Sequence, residues 1–288
     1  MRVLVTGVKG QLGYDVMNEL AKRGDTGIGV DIDEMDITDP SSVNIVIRES
    51  KADAVIHCAA WTAVDKAEEC VDACRRVNAY GTENIAKVCE ELDIPMMYFS
   101  TDYVFDGNGT RPWEPEDERH PLDVYGQTKA EGEIAVLEHV KKSFILRIAW
   151  VFGVNGHNFI RTMLQLSKNH DSLKVVNDQI GTPTYTYDLA RLVVDMIKTD
   201  KYGIYHVTNE GEYISWFDFA AAIFKEAGVT GCRLIPVSSE EYGAKAKRPF
   251  NSRMDRSKII AMGFTPLPTW EDALSRYVQI LKREENAG

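Results

Sequence analysis

Tyr125 and Lys129 stand four positions apart in the segment YGQTKAEG. An α-helix turns once in about 3.6 residues, so a helix here would place both side chains on one face. Such a pair is either ordinary exposed helix surface or a tyrosine whose hydroxyl group can move protons. The spacing alone does not distinguish these alternatives, and the elements around the pair have to decide.

A glycine-rich loop follows the first apolar run of the chain, in RVLVTGVKGQLG. Gly7 permits a tight turn, Gly10 lets the backbone approach a pyrophosphate, and Gly13 lets a helix pack closely on a sheet. The N-terminus of the following helix offers unpaired N–H groups and a partial positive charge to phosphates. The loop therefore predicts a dinucleotide site that includes Gln11 and Leu12 with the three glycines.

Asp31 closes the second apolar run, where a carboxylate can accept a hydrogen bond from a ribose 2′-hydroxyl and repel a 2′-phosphate. This position favours NADH, although Lys9 and Arg23 can offset the repulsion and leave NADPH possible. The alternative is that Asp31 is only a turn residue. Asp36 and Ile37 are predicted to border the adenine. Three residues after the next strand are predicted to line the cofactor: Ala59, Ala60 and Trp61.

The order of elements predicts an α/β fold with a doubly wound parallel sheet of the Rossmann type. Residues 1–150 alternate continuous apolar runs with helical stretches, which is typical of parallel strands covered on both faces. The runs cover 2–6, 26–31, 53–59, 94–101 and 143–148, and the helices 11–23, 40–50, 70–92 and 123–141. Residues 151–288 are predicted to form a smaller α/β substrate region, with some exchange of chain between the two domains.

Composition narrows the class of protein. A net charge of −11 over 288 residues argues against binding to nucleic acid, which depends on Lys and Arg neutralising phosphates. The five cysteines form no CxxC pair, so neither a disulfide framework nor a zinc site is expected. The chain shows no signal-peptide pattern and no apolar run long enough to span a membrane, so we expect a cytoplasmic protein without a membrane partner.

The motifs together resemble the extended short-chain dehydrogenase/reductase superfamily. The similarity lies in the glycine-rich start, in Ser100-Thr101 ending the middle strand, and in the Tyr-xxx-Lys helix. The finer stretches STDYVFDG, PLDVYGQTKAEGE, LRIAWVFG, DQIGTPTYTYDLA and RPFNSRMDRSKI resemble the branch that reduces the C4 ketone of dTDP-linked 4-keto-6-deoxysugars. This resemblance implies a nicotinamide coenzyme, a dTDP-sugar substrate, and either a monomer or a homodimer.

By that resemblance Tyr125 is the proton donor, Lys129 its partner and Thr101 the third catalytic group. An ammonium group near a phenol favours the phenolate, so Lys129 is expected to lower the pKa of Tyr125. Lys129 is also expected to hydrogen-bond the nicotinamide ribose, and the Thr101 hydroxyl to donate to the substrate carbonyl.

The resemblance also implies residues for the substrate. Asp102 and Tyr103 can meet sugar hydroxyl groups, Trp150 can stack on the sugar, and Asn158 and Arg248 belong to motifs at the nucleotide end. The planar fork of an arginine suits a diphosphate. A core role for Trp150 is the alternative. The acidic loop over 109–121 is expected to be solvated, although some related reductases are linked to Mg²⁺ at a dimer contact, and no metal ligand is assigned.

Two other functions share these motifs. A nucleotide-sugar epimerase would hold NAD tightly and return the hydride. A non-catalytic NADP-binding regulatory subunit, like the beta subunit of methionine adenosyltransferase, carries similar STDYVFDG and YGxTK segments. Trp150 favours the reductase, because an indole at a strand end suits a sugar ligand.

Overall fold

The computed structural model describes residues 1–287, with side chains up to residue 284. The first half of the chain alternates strands and helices, as the apolar runs predict. Its strands are β1 (Arg2–Thr6), β2 (Thr26–Val30), β3 (Ala54–His57), β4 (Met96–Thr101), β5 (Ser143–Ile148) and β6 (Val151–Phe152). Its helices are α1 (Gln11–Lys22), α2 (Pro40–Ser50), α3 (Val64–Ala67), α4 (Val71–Arg75), α5 (Gly81–Leu92) and α6 (Val124–His139).

The second half has shorter strands between its helices. The strands are β7 (Ser172–Val176), β8 (Ile180–Gly181), β9 (Thr184–Tyr185), β10 (Gly203–His206), β11 (Ile214–Ser215) and β12 (Arg233–Val237). The helices are α7 (Phe159–Ser167), α8 (Thr186–Met196), α9 (Trp216–Ala227), α10 (Ser239–Tyr242), α11 (Ser257–Ala261) and α12 (Trp270–Ala287). Within residues 1–287, no helix combines the length and the apolar character that crossing a membrane requires.

The main sheet has six strands in the order β10-β5-β4-β3-β1-β2, and every neighbouring pair is parallel. The chain moves from β1 outward to β2 and then returns to β3 on the other side of β1, so the order reverses between β1 and β3. Ligand crevices form at such a reversal in doubly wound sheets. The predicted fold class is confirmed.

Both faces of the sheet are covered, because alternate strand residues point in opposite directions. Val3 and Val5 pack on the side of α1 and α8, whereas Leu4 packs on the side of α2 and α5. Both β10 and α8 come from the second half of the chain. The domain boundary at residue 150 therefore remains a prediction, with at least these two elements packed on the first segment.

A second core holds the rest of the second half together. Phe152, Phe219 and Tyr277 belong to a separate buried cluster formed mainly by α7, α9 and α12 beside β7. β7 and β12 pair in parallel, and β8 pairs with β11. The strands β8, β9 and β11 were not predicted, because two residues give no periodicity to detect, and β12 was not predicted either.

The helix predicted over 70–92 is continuous but irregular. A π-helical turn, Arg76–Tyr80, joins α4 to α5. Such turns insert one extra residue into an α-helix and occur often at functional sites. Here the π-turn contains Asn78, a buried side chain that contacts the site described below.

A buried ion pair fastens α6 to the sheet. Glu133 on α6 and Arg147 on β5 are almost fully buried and form two hydrogen bonds of 2.8 Å. Arg119 adds a third hydrogen bond to Glu133 at 3.0 Å. The remaining guanidinium nitrogen of Arg147, Nη1, donates to the carbonyl of Pro115. Removing one partner of such a pair leaves an uncompensated buried charge, which is strongly destabilising.

We expect Arg147→Met to lower the free energy of unfolding by about 3–5 kcal/mol. Arg48→Met, which removes the exposed pair with Glu91, should cost less than about 1 kcal/mol. Urea denaturation followed by circular dichroism measures both. Equal losses in the two variants would contradict the structural role of the buried pair.

Candidate active site

The glycine loop connects β1 to α1 and crosses the end of β3. Gly7 has a φ of +67°, and a Cβ there would lie 2.7 Å from the backbone nitrogen of Ala59. A Cβ at Gly13 would lie 2.3 Å from the carbonyl oxygen of Gly7. Only glycine fits either position. The first turn of α1 has no side-chain cap, so its N–H groups are available to an anion such as a pyrophosphate.

The second half of the chain packs on this loop. The Asn155 amide donates to the carbonyl of Lys9 at 2.8 Å, and the Asn158 amide donates to the Gln11 side chain at 3.1 Å. Asn158 also donates to Gly153 and Tyr277, and it caps α7 by accepting from the Arg161 N–H. These bonds occupy the amide of Asn158, so its position supports a structural role rather than the predicted contact with substrate.

A cavity of about 140 Å³ opens beside Gly7, between the ends of β1, β2 and β3. Six residues predicted to bind the cofactor line it: Gly7, Asp31, Asp36, Ile37, Ala59 and Ala60. Trp61 follows them but does not line this cavity. Its apolar walls and the adjoining glycine turn suit the adenosine end of a dinucleotide, and Leu12 of the loop is buried.

The predicted coenzyme-selecting residue sits in an acidic turn. The two oxygens of Asp31 accept from the backbone N–H groups of Lys9 and Ile32, both at 3.0 Å. Asp33 pairs with the Lys9 ammonium group, and Glu34 accepts from the Asp31 N–H. Three carboxylates therefore lie in the turn that borders the cavity, and the Lys9 ammonium group is already paired with one of them.

A buried hydrogen-bond chain links the ends of β1 and β3 to the π-turn. The Ala59 N–H donates to the Thr6 hydroxyl at 3.1 Å, and Thr6 contacts His57 Nδ1 at 2.8 Å. His57 Nε2 contacts the Thr82 hydroxyl, which donates to the carbonyl of Asn78. This direction leaves the imidazole proton on Nε2. Burial lowers the pKa of His57 to about 3, so the ring is a neutral structural link.

Asn78 joins the cofactor wall to the catalytic helix. Its side chain accepts from the Trp61 N–H at 2.8 Å and donates to the Trp61 carbonyl at 3.1 Å. It also donates to the Thr128 hydroxyl, which in turn donates to the Tyr125 carbonyl. The sequence interpretation missed Asn78, because its partners Trp61 and Thr128 lie 17 and 50 positions away in the chain.

Thr101, Asp102 and Tyr103 lie where β4 ends, as predicted. In the sheet, Tyr98 pairs with the last residue of β3, so Thr101 extends three residues farther than that strand. The Thr101 hydroxyl donates to Asp102 at 2.9 Å and accepts from the Tyr103 N–H. The Tyr103 ring meets the Tyr125 ring edge-on, with centroids 5.4 Å apart. Thr101 and Tyr125 are thereby brought to one crevice.

Tyr125 and Lys129 both lie on α6, which begins at an Asp123 cap: Asp123 accepts from the Gly126 N–H at 2.7 Å. The expectation that Lys129 lowers the pKa of Tyr125 is wrong for this ligand-free structure. Burial raises the pKa of Tyr125 above its ordinary value; the nearby Thr101 hydroxyl opposes this, and Asp102 and Asp123 add to it. The phenol is therefore protonated at neutral pH.

Lys129 is itself perturbed by burial, being 3% exposed. Burial lowers its pKa to about 7, against the opposing charge of Glu133 one turn along α6. Its ammonium nitrogen lies 4.0 Å from the centre of the Tyr98 ring. A lysine that is only partly charged near pH 7 cannot supply the full positive charge assumed from the sequence spacing.

Two buried carboxyl groups flank the tyrosines. Burial raises the pKa of Asp102 to about 6 and that of Asp123 to about 7. One oxygen of each has no hydrogen-bond partner at good geometry within the described residues, although the Ser252 hydroxyl is near enough to Asp102 to lower its pKa. Buried polar atoms without partners are costly, and they cluster at ligand sites.

The substrate side of the crevice is built around Trp150, which follows β5. Trp150 has a φ of +51°, a left-handed conformation that costs a non-glycine residue about 1–3 kcal/mol. Its indole stacks on Trp216, with centroids 3.8 Å apart and planes 15° apart. A Cβ at Gly181 would lie 3.0 Å from both Trp150 and Ser252, so these three residues meet. Ser252 connects this wall to Asp102.

Arg248 reaches the same crevice from the other side. Its guanidinium forms a forked pair with Asp65, at 2.8 and 3.3 Å, and its charge acts on Tyr103. An anionic substrate would have to compete with Asp65 for this fork. Asp65 was not singled out in the sequence, because nothing local links it to a residue 183 positions away.

The acidic loop over 109–121 forms ion pairs with basic residues. Asp117 pairs with Arg111, and Glu116 with Lys258. Across the part of the chain that the structure describes, no group of three or more His, Cys, Asp or Glu side chains is arranged to hold a metal ion.

Comparisons with known proteins agree with this geometry. A family model described as the RmlD substrate binding domain matches residues 1–283. A dTDP-4-dehydrorhamnose reductase from Aggregatibacter actinomycetemcomitans is 41% identical over 95% of this chain and 97% of its own. A solved dTDP-4-dehydrorhamnose reductase from Clostridium acetobutylicum is 40% identical, with a TM-score of 0.95 over 98% of this chain and 100% of its own.

A second solved structure shows a coenzyme. The dTDP-4-dehydrorhamnose reductase from Bacillus anthracis, in complex with NADP, is 40% identical, with a TM-score of 0.92 over 96% of this chain and 97% of its own. The match of the family model over almost the whole chain, together with relatives near 40% identity, confirms the resemblance drawn from the motifs. The chain belongs to the RmlD substrate binding domain family.

Proposed function

We propose that the protein is an NAD(P)H-dependent oxidoreductase that reduces the C4 ketone of dTDP-4-dehydrorhamnose to give dTDP-L-rhamnose. One observation carries this proposal: Tyr125 and the Thr101 hydroxyl lie next to each other, between a dinucleotide loop and the stacked indoles of Trp150 and Trp216. Relatives similar over their full length are named for this reaction.

The residues divide the work as follows. A bound nicotinamide coenzyme supplies the hydride. Tyr125 gives its proton to the ketone oxygen as negative charge develops there, and burial keeps that proton in place until then. Thr101 positions the ketone oxygen by a hydrogen bond. To do so, the Thr101 hydroxyl must stop donating to the Asp102 carboxyl group and donate to the ketone instead. A protonated Asp102 favours this orientation, because it can itself donate to the Thr101 oxygen.

Lys129 is proposed to hold the coenzyme ribose and to become fully protonated when the coenzyme binds. A negatively charged coenzyme favours the ammonium form, which would restore the positive charge that burial removes. Trp150 offers an indole face to the sugar, and Arg248 exchanges Asp65 for the substrate diphosphate.

The coenzyme is proposed to be NADH or NADPH, with NADH favoured by the acidic turn. Asp31, Asp33 and Glu34 repel a 2′-phosphate, and Lys9 is paired within that turn. Support for NADPH comes from the NADP complex of the Bacillus anthracis relative. Both coenzymes therefore need to be tested.

The reductase is tested by mixing the protein with dTDP-4-dehydrorhamnose and following the loss of reduced coenzyme. We expect one coenzyme oxidised per sugar reduced. No oxidation with either coenzyme would refute the reductase, and sugar conversion without net oxidation would favour an epimerase.

Tyr125→Phe should lower kcat about 100- to 10,000-fold, because the proton donor is lost while the ring remains. The dissociation constant of the coenzyme, measured by fluorescence titration, should stay within about 3-fold of the parent value. Tyr80→Phe removes an exposed hydroxyl and should change neither quantity. Full turnover by Tyr125→Phe would rule out Tyr125 as the proton donor.

The lowered pKa of Lys129 predicts a pH dependence of stability. Above pH 7 the folded protein releases this proton while the unfolded chain keeps it up to the ordinary lysine pKa of 10.5, so stability rises with pH over that interval. Relative to Lys129→Met, the parent should gain about 3 kcal/mol between pH 6 and pH 9. Urea denaturation at each pH measures the free energy of unfolding, and the exposed Lys87→Met should show the same pH dependence as the parent. The same pH dependence in Lys129→Met as in the parent would contradict the lowered pKa of Lys129.

Asp31→Asn should raise the ratio of kcat/KM with NADPH to that with NADH about 10-fold, because a repulsive charge is removed and an acceptor is kept. Asp200→Asn makes the same charge change before β10, at the opposite edge of the sheet, and should leave the ratio unchanged. Steady-state kinetics with both coenzymes measures this. An unchanged ratio in Asp31→Asn would remove Asp31 from coenzyme selection.

A further inference from the structure

Trp216 stacks on Trp150 from outside the crevice residues considered for binding and catalysis. The two indoles stack almost parallel, at 3.8 Å and 15°, which is closer than any other aromatic pair within the described side chains. Trp150 remains partly exposed. Trp216 covers one indole face, and a Cβ at Gly181 would lie 3.0 and 3.1 Å from Cε2 and Cζ2 of the same indole.

Trp216 is anchored independently of Trp150. It is the first residue of α9, and the preceding Ser215 forms a complete capping box with Asp218. Phe159 packs on Trp216 at 4.6 Å, and β11, which ends at Ser215, pairs with β8. The second core therefore holds Trp216 in place, and Trp216 in turn provides a flat support for Trp150.

Trp150 needs such support, because its backbone is strained. A left-handed tryptophan persists only where its surroundings hold it. The carbonyl of Trp150 accepts from the Thr184 N–H at 3.2 Å, and the Thr184 hydroxyl donates to the carbonyl of Ala149 at 2.6 Å. These bonds fix the backbone, while the stack with Trp216 fixes the indole plane.

We propose that Trp216 is a positioning residue for the sugar: it acts through Trp150, holding the indole so that only one face is presented to the substrate. The ligand class is a sugar with an apolar C–H face, such as a 6-deoxyhexose, which stacks on an aromatic ring. This inference rests on the proposed function, since it assumes a sugar nucleotide in the crevice. It makes sugar binding depend on the second core, while the cavity predicted for the adenosine end of the coenzyme lies at the ends of β1, β2 and β3.

The experiment combines spectroscopy with kinetics in Trp216→Ala, Trp216→Phe and Trp113→Phe. Two indoles stacked this closely give an exciton couplet in circular dichroism. Trp216→Ala and Trp216→Phe should abolish the couplet, whereas Trp113→Phe, which removes an indole stacked on Phe105, should keep it. Retention of the couplet in Trp216→Ala would overturn the stacked arrangement.

Kinetics then separates positioning from general stability. Trp216→Ala should raise KM for dTDP-4-dehydrorhamnose about 10-fold and leave KM for the coenzyme within about 2-fold, whereas Trp216→Phe, which keeps a flat ring, should recover most of the sugar affinity. An equal rise in both KM values, or no rise for the sugar, would overturn the inference. If the parent protein binds coenzyme but no sugar nucleotide in fluorescence titration, the proposed function fails and this inference fails with it. If the parent binds the sugar nucleotide and Trp216→Ala binds it equally well, only this inference is refuted.

Discussion

All six strands of the main sheet run in one direction, and this constraint places residues from distant parts of the chain at a single edge. Gly7, Asp31, Ala59, Thr101 and Trp150 each end or closely follow a different strand, and the carboxyl ends of parallel strands meet on the same side. The reversal of strand order between β1 and β3 opens the edge where the glycine loop lies. The position of the crevice therefore follows from the sheet topology, and the side chains that line it determine which reaction it can support.

Burial determines the protonation states in that crevice. The pKa values of Tyr125, Lys129, Asp102 and Asp123 are all shifted toward the neutral forms, because burial by the surrounding protein disfavours the charged form of each group. A phenol kept protonated is suited to donate a proton, whereas one made acidic in advance would already have lost it. The reversal of the expected shift at Tyr125 thus supports its role as an acid. Clustered pKa shifts of this kind are typical of functional sites.

The sequence predicted what local patterns encode. Gly7 and Gly13 were identified because a turn and a close backbone approach exclude every other residue, and Thr101 because it ends a continuous apolar strand. Contacts across long stretches of chain were not predictable: Asn78 with Trp61 and Thr128, Asp65 with Arg248, and Trp150 with Trp216 all depend on the completed fold. The spacing of Tyr125 and Lys129 predicted that they share a helix face but not how deeply they are buried. The expected direction of the pKa shift of Tyr125 was therefore wrong.

Tracing a deuteride label tests the central claim most directly. The protein is incubated with dTDP-4-dehydrorhamnose and with NADH or NADPH that carries deuterium at the transferable position, and the sugar product is analysed by NMR. The account predicts deuterium at C4 of dTDP-L-rhamnose, with one coenzyme oxidised for each labelled sugar. A product without deuterium at C4, or label retained on a coenzyme that is not consumed, would contradict it.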